Sequence, residues 1–436
     1  MRRQRAEGRG WMRTVYAMLT YLLLPVYALY WVVRGLGNRS YWDRVGQRFG
    51  VGYPQLGAGS IWLHAVSVGE VQAAAPLVRI LLRRFPDREL LITTVTPTGA
   101  QRVRSLFGDT VTHCYIPFET PNAVARFFAA VKPAFALIME TEIWPNLYRG
   151  CGIRGIPLVL VSARISPKSV GNYRRLLPLF RETLSHGILI AAQSQADADR
   201  FMSLGASAAR TWVTGNIKFD FELPAELPQQ GAALRAALWP GRPVWIAAST
   251  HEGEETAVLD AHREVRAAFP DALLVLVPRH PERFAGVAQL LERRGIRFAR
   301  RTMDEACDAG TQVYLADTMG ELPLFYAASD IAFVGGTLVP IGGHNLLEPA
   351  ALALPVVTGP HLFNAEDIAQ MFSSIGASIT AGDAGELAAA VTGLLGNPGQ
   401  ARAMGEKGRR IVADNRGALQ RLLVLLDPLV DGVRPG

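Results

Sequence analysis

Short apolar runs alternate with amphipathic stretches of helical period along most of this chain, and that alternation points to parallel α/β architecture. SIWLHAV reads as a strand and VQAAAPLVRILLRRF as the helix that follows it. VTHCYIPF is strand-like, and ELLITTV, FALIME, IPLVLVSAR, GILIAAQ and RTWVTG read as further strands, with helices near residues 121–131 and around 173–184. A polar, proline-containing stretch, NIKFDFELPAELPQQG, then interrupts the pattern. It restarts with PVWIAAST, a helix opening at Glu252, DALLVLVPRH, a helix over 281–294, QVYLADT, DIAFVGG and LPVVTGP, with helices filling the rest through Leu426. A chain of 436 residues exceeds one typical core. Two doubly wound, Rossmann-like domains are therefore expected, residues 37–222 and 223–436, with the last helix a candidate to return to the first. Ligands in such sheets sit beyond the carboxyl ends of the strands, so a cleft is expected where the two sets of ends face each other.

Ahead of these domains, residues 1–36 form an appendage. TVYAMLTYLLLPVYALYWVV, residues 14–33, is uncharged, and its length is about that of a bilayer-crossing helix. Bulky basic sequence follows it rather than a small-residue cleavage site, so it reads as a retained membrane anchor. Arg residues flank both ends, so charge does not fix its orientation, and Pro25 leaves open a kinked or shallowly inserted helix. The formal charge of +7, without an aromatic-interleaved basic block, favours a phosphorylated or anionic-lipid partner over nucleic acid. Cys114, Cys151 and Cys307 lie far apart with no zinc-ligand spacing, which points to a reducing compartment and no structural metal. His113 adjoins Cys114 on the strand-like VTHCYIPF, where a core role is favoured over a reactive thiol.

Within the second half, IAFVGGTLVPIGGHNLLEP runs from an apolar strand through a glycine-rich turn into a helix expected to open with His344 and Asn345. Backbone N–H groups at Gly335, Gly336, Gly342, Gly343 and His344 are candidates for an anion cradle. Glu348, three residues after Asn345, is placed to accept from ribose hydroxyls. A structural glycine turn is the competing reading. PRHPERF and DTMGEL place Arg279, His280, Asp317, Met319, Gly320 and Glu321 after two further strands. Neither His280 nor His344 belongs to a helical metal-binding pair.

In the first domain the strand-end sequences are HAVSVGE, TTVTPTGAQ, METEIWPN and SARIS. Glu70, near the first turn of a helix, serves either as a general base or as a complement to the helix dipole, and the helix terminus favours its ionised form. Glu140 and Glu142 flank Thr141, and strand parity leaves open which faces the substrate. Lys218 is either a solvated hinge lysine or an anion ligand. Arg164, Lys168, Arg174 and Arg175 share one loop-like basic stretch, suited either to solvent or to lipid phosphates.

In order along the chain, HAVSVGE, TTVTPTGAQ, METEIWPN, ARIS, STHEGEE, PRHPERF, DTMGEL and GGTLVPIGGHNLLEP resemble the 3-deoxy-D-manno-octulosonic acid (Kdo) transferases of Gram-negative bacteria. The resemblance implies a GT-B glycosyltransferase fold and transfer of Kdo from CMP-Kdo, with inversion and without a metal or other cofactor. The acceptor it implies is the acylated, bisphosphorylated glucosamine disaccharide precursor of lipid A. On matching positions Glu70 is the base. Glu140 or Glu142, with Lys218, stabilises the transition state. Pro278, Arg279, Met319, Gly320, Glu321, Asn345, Leu346, Leu347 and Glu348 hold CMP. With the anchor, it places the catalytic domains on the cytoplasmic side of the inner membrane, where Ser67, Gly69 and the basic stretch meet the acceptor. Ser162 departs from the family pattern, where Asn is expected. Two other enzyme classes share this architecture: membrane-associated transferases using a UDP-sugar and a polyprenyl-linked acceptor, and nucleotide-sugar 2-epimerases. A non-catalytic, membrane-tethered sugar-binding scaffold is a third reading.

Overall fold

The computed structural model describes residues 2–305 and 307–431. They form two compact units. One runs to Phe221 and resumes at Arg416, and the other is Glu222–Asn415.

The first unit is built on seven strands: β1 (Ser60–His64), β2 (Leu90–Thr94), β3 (Thr112–Tyr115), β4 (Pro133–Met139), β5 (Leu158–Ala163), β6 (Leu189–Ala192) and β7 (Thr211–Val213). They are ordered β3-β2-β1-β4-β5-β6-β7, and every pairing is parallel. Because side chains alternate across a strand, β1 sends Trp62 to one face and Ile61 and Leu63 to the other. Trp62 packs on Phe127 and Phe128. Ile61 and Leu63 share a cluster with Ala418, Leu422 and Leu426 of the last helix, Ala418–Asp431. That helix therefore belongs to the first unit's core. Its start is fixed by Asp220, which accepts from the N–H groups of Gly417 and Leu419 at 2.6 and 2.5 Å.

The second unit repeats the plan with β8 (Val244–Thr250), β9 (Leu273–Pro278), β10 (Phe298–Arg300), β11 (Val313–Leu315), β12 (Ile331–Val334), β13 (Val356–Thr358) and β14 (Ser378–Thr380). These are ordered β10-β11-β9-β8-β12-β13-β14, again all parallel. The two edge strands β10 and β14, of three residues each, are additions to the strands read from sequence.

The expected single anchor helix is two helices, Arg2–Leu22 and Leu24–Gly37, with Pro25 in the first turn of the second. Proline has no N–H to continue the ladder, and the chain bends by 41° there. Among the described residues no single helix is long and apolar enough to cross a membrane; Trp11–Leu22 and Leu24–Gly37 reach that length and composition only as a bent pair. One side of the pair docks on the first unit. Trp31 is buried against the guanidinium of Arg48, 3.5 Å from its ring centre, and the Tyr16 hydroxyl donates to Glu119 at 2.9 Å. Leu22, Leu23, Val26, Leu29, Val33 and Leu36 are exposed.

Candidate active site

In a doubly wound sheet the connections leave the first strand in opposite directions, opening a crevice at the carboxyl ends of the first and fourth strands. In the first unit that point lies between β1 and β4. The chain leaves β1 through Ala65–Ser67 and enters the helix Val68–Arg84, capped by Ser67. Ser67 and Glu70 are tied together at this helix start. The Glu70 N–H donates to Ser67 Oγ at 3.3 Å, and that hydroxyl donates to Glu70 Oε1 at 3.2 Å. Val66 N–H donates to Glu70 Oε2 at 2.9 Å.

Burial pushes the Glu70 carboxyl up to about 8, the nearby charge of Glu140 and then that of Glu142 adding to the effect against the two hydrogen bonds. The expectation that the helix terminus keeps Glu70 ionised is thus corrected. Desolvation and like charge outweigh the favourable end of the helix.

Across the crevice, Glu140 follows β4 in the left-handed region, φ 55°, which is uncommon for a non-glycine residue. Its carboxylate receives Lys218 Nζ at 2.6 Å and Arg164 Nε at 3.0 Å. Burial alone works to raise its pKa, but Lys218 and then Arg164 prevail and hold it below the usual carboxylate range. Glu142 differs. It accepts the Trp144 indole N–H at 2.7 Å, and burial raises its carboxyl. Of the two carboxylates that strand parity left open, Glu140 is the one in the cation cluster. Lys218 is no solvated hinge residue.

Lys218 lies on the 3-10 turn Ile217–Phe219 after β7. Ser162, also left-handed at φ 50°, accepts the Ile217 N–H through its hydroxyl at 3.0 Å. The side-chain oxygen expected from Asn is thus supplied by Ser. Of the residues assigned to the acceptor, Ser67 and Arg164 join this carboxylate centre. Gly69, Lys168, Arg174 and Arg175 are exposed, and the stretch expected to be loop-like is the helix Pro167–Arg174.

The second unit has its own switch point, between β8 and β12. Gly335 N–H donates to Ala248 O at 2.8 Å, and Gly336 N–H to Glu254 Oε2 at 2.7 Å. Glu254 also accepts from the N–H groups of Thr337 and Leu338 at 2.9 Å and His251 at 3.0 Å. Gly342 and Gly343 both donate to Gly336 O. The anion-cradle reading of these four glycines is therefore revised: their amides are engaged inside the protein, and a buried carboxylate fills the nest. Gly335 is required by close approach, since a Cβ there meets Ser249 O at 2.7 Å.

The helix after the turn begins at Leu347, not His344. Asn345 accepts the Leu347 N–H at 3.0 Å and donates to Glu348 Oε1 at 3.0 Å. Burial raises the Glu348 carboxyl, with Asn345 and Arg279 pulling the other way. Arg279 is thus brought electrostatically close to Glu348. Its backbone N–H donates to Thr250 O at 3.0 Å, beside Pro278 at the end of β9.

Leu346 and Leu347 are buried, so they present backbone rather than side chains. Met319 is exposed and Gly320 has φ 88°. Glu321 immediately precedes the helix Leu322–Ala327, and its carboxylate is held bidentately by Arg301 at 2.7 and 3.1 Å. That hydrogen bonding, against burial, lowers its pKa.

Two residues at this switch point were missed in sequence. Glu254 had a signal, since Gly253 and two acidic residues open a helix there. His251 follows directly on a strand within STHEGEE, but its pairing with His344, distant in the chain, had no signal.

Two parallel sheets with titratable clusters at both switch points suit an enzyme that handles nucleotide sugars, and comparisons with known proteins agree. A family model for 3-deoxy-D-manno-octulosonic-acid transferase (kdotransferase) matches residues 43–221, and one for group 1 glycosyl transferases matches residues 298–411. The 3-deoxy-D-manno-octulosonic acid transferase of Haemophilus influenzae is 41% identical, over 96% of this chain and 99% of that protein. A putative UDP-N-acetylglucosamine 2-epimerase structure from Listeria monocytogenes, 15% identical, has a TM-score of 0.53 over 86% of this chain and 98% of its own, a likeness of fold. The C-terminal CMP-Kdo binding domain of WaaA from Acinetobacter baumannii is 37% identical over 43% of this chain and 97% of that domain, with a TM-score of 0.41. The chain is a glycosyltransferase. It belongs to the 3-deoxy-D-manno-octulosonic acid transferase family.

Proposed function

We propose that this enzyme transfers Kdo from CMP-Kdo to the acylated, bisphosphorylated glucosamine disaccharide precursor of lipid A, with inversion at the sugar carbon, in lipopolysaccharide biosynthesis. The observation that carries the reading is the carboxylate centre of the first unit. A half-buried Glu70, whose pKa is raised to about 8, lies beside a Glu140 neutralised by Lys218 and Arg164. Glu70 is the base. As an acceptor hydroxyl oxygen attacks the anomeric carbon, its proton passes to the Glu70 carboxylate, the bond from that carbon to the phosphate oxygen breaks, and CMP leaves. Lys218, held by Glu140, stabilises the charge that develops.

In the second unit, Arg279 meets the phosphate, Glu348 accepts from the ribose hydroxyls, and Pro278, Met319 to Glu321 and Asn345 to Leu347 supply backbone contacts to CMP. Cationic side chains serve where other transferases use a metal, so no metal or other cofactor belongs to the proposal. The exposed apolar side of the N-terminal helix pair rests in the inner membrane on its cytoplasmic face, with Lys168, Arg174 and Arg175 toward the acceptor phosphates. Product analysis with CMP-Kdo and the lipid A precursor, with and without chelator, tests the reading. Kdo-bearing product in both arms is expected. Product from UDP-sugars only, or loss of activity with chelator, contradicts it.

A further inference from the structure

The carboxyl edge of the second sheet carries three imidazoles to which the transfer above gives no role: His251 after β8, His280 after β9 and His344 in the loop after β12. His251 Nε2 and His344 Nε2 are 2.7 Å apart. Their planes differ by 6° with centroids 5.0 Å apart, so the rings meet edge to edge in line rather than face to face. The His280 ring meets that of His251 at 77°, 5.2 Å away. Two nitrogens at 2.7 Å share one hydrogen, one ring donating and the other accepting. Rings coupled in this way titrate as a unit.

The pair is held neutral by its surroundings. Burial first, then His251, Arg279 and His280, pull His344 down to about 3. Burial also lowers His251, where Glu254 opposes and His280, Arg279 and Arg283 reinforce. Both imidazoles remain partly open to solvent, at the crevice where ligands of such sheets bind.

We propose that His251 and His344 form a proton-sharing subsite for the nucleotide phosphate, taking up one proton from water as the anion binds. The incoming proton goes to Nδ1 of the donating ring. The Nε2–H···Nε2 bond stays in place, and one positive charge faces the phosphate. The proposal rests on the second unit being the donor site.

Titration calorimetry of the full chain with CMP and with UMP at pH 7.5, in two buffers of different ionisation enthalpy, tests it. The wild type is expected to take up about one proton on binding. His251→Gln and His344→Gln are each expected to lose that uptake and to bind about tenfold more weakly. The nucleotide's own second ionisation, near ~6, is common to all three proteins and cancels in the difference. Equal uptake in wild type and both variants, or none in the wild type, overturns the proposal. Binding of UMP but not CMP overturns the donor assignment alone, since the proton count is then read from UMP. Binding of neither overturns both.

Discussion

Glu70 and Glu254 occupy the same topological place, in the first turn of the helix after the first strand of their sheets, and they differ in what surrounds them. Glu254 is fully buried and accepts four backbone N–H groups, from His251, Gly336, Thr337 and Leu338. Glu70 accepts one backbone N–H and one hydroxyl and lies near two more carboxylates. A carboxylate with four backbone donors is a structural brace, because its oxygens satisfy N–H groups that would otherwise be buried without partners. One left short of partners beside like charge holds a proton near neutrality and can exchange it. The fold supplies the position, and the neighbours decide whether it braces a loop or does chemistry.

Substitutions at the two positions should separate stability from turnover. Glu70→Gln is expected to lower kcat by about 10³-fold, the scale of general base catalysis, with CMP binding intact by thermal shift and less than ~1 kcal/mol lost in stability, the scale of a helix cap. Substantial residual turnover would remove the base assignment. Glu254→Ala should do the converse. It leaves buried N–H donors without an acceptor, and denaturant unfolding should show a loss of about 3 kcal/mol or more; a loss below ~0.5 kcal/mol would mean the nest does not depend on this carboxylate.

Lys218→Ala leaves Glu140 with Arg164 alone and should lower kcat by about 10²-fold at nearly constant KM. A change confined to KM would make Lys218 a ground-state binding group. The smallest effect is expected at Glu348→Ala, a loss of about 1 to 3 kcal/mol in donor affinity. Unchanged CMP affinity in calorimetry would take Glu348 out of the ribose site.

Much of this was legible in the chain because parallel strands buried on both faces leave continuous apolar runs. β8 and β9 are such runs, and both were read directly. β10 and β14 are three-residue edges, too short to generate a period. The glycine loop was misread for a physical reason. GG after a strand signals exposed amides only if nothing in the protein binds them, and here Ala248 O takes the Gly335 N–H and Glu254 that of Gly336. Strand parity predicts nothing at Glu140 because its φ of 55° takes it off the strand. The place of Glu70 in the first turn of a helix was visible, but the raised pKa was not, since it depends on burial and on carboxylates that only the fold brings close.

In the proposed mechanism Glu70 takes the acceptor proton, and its raised pKa sets the sign of the pH dependence. A base is active only when ionised, so the rate should climb as pH rises toward the Glu70 value of about 8 and level off above it. The measurement is the single-turnover rate of Kdo transfer from CMP-Kdo to the lipid A precursor between about pH 6 and 10, for wild type and Glu70→Gln. A rise of about tenfold per pH unit is expected on the acid side, absent in the variant. A flat or falling profile, or the same rise in both proteins, would contradict it.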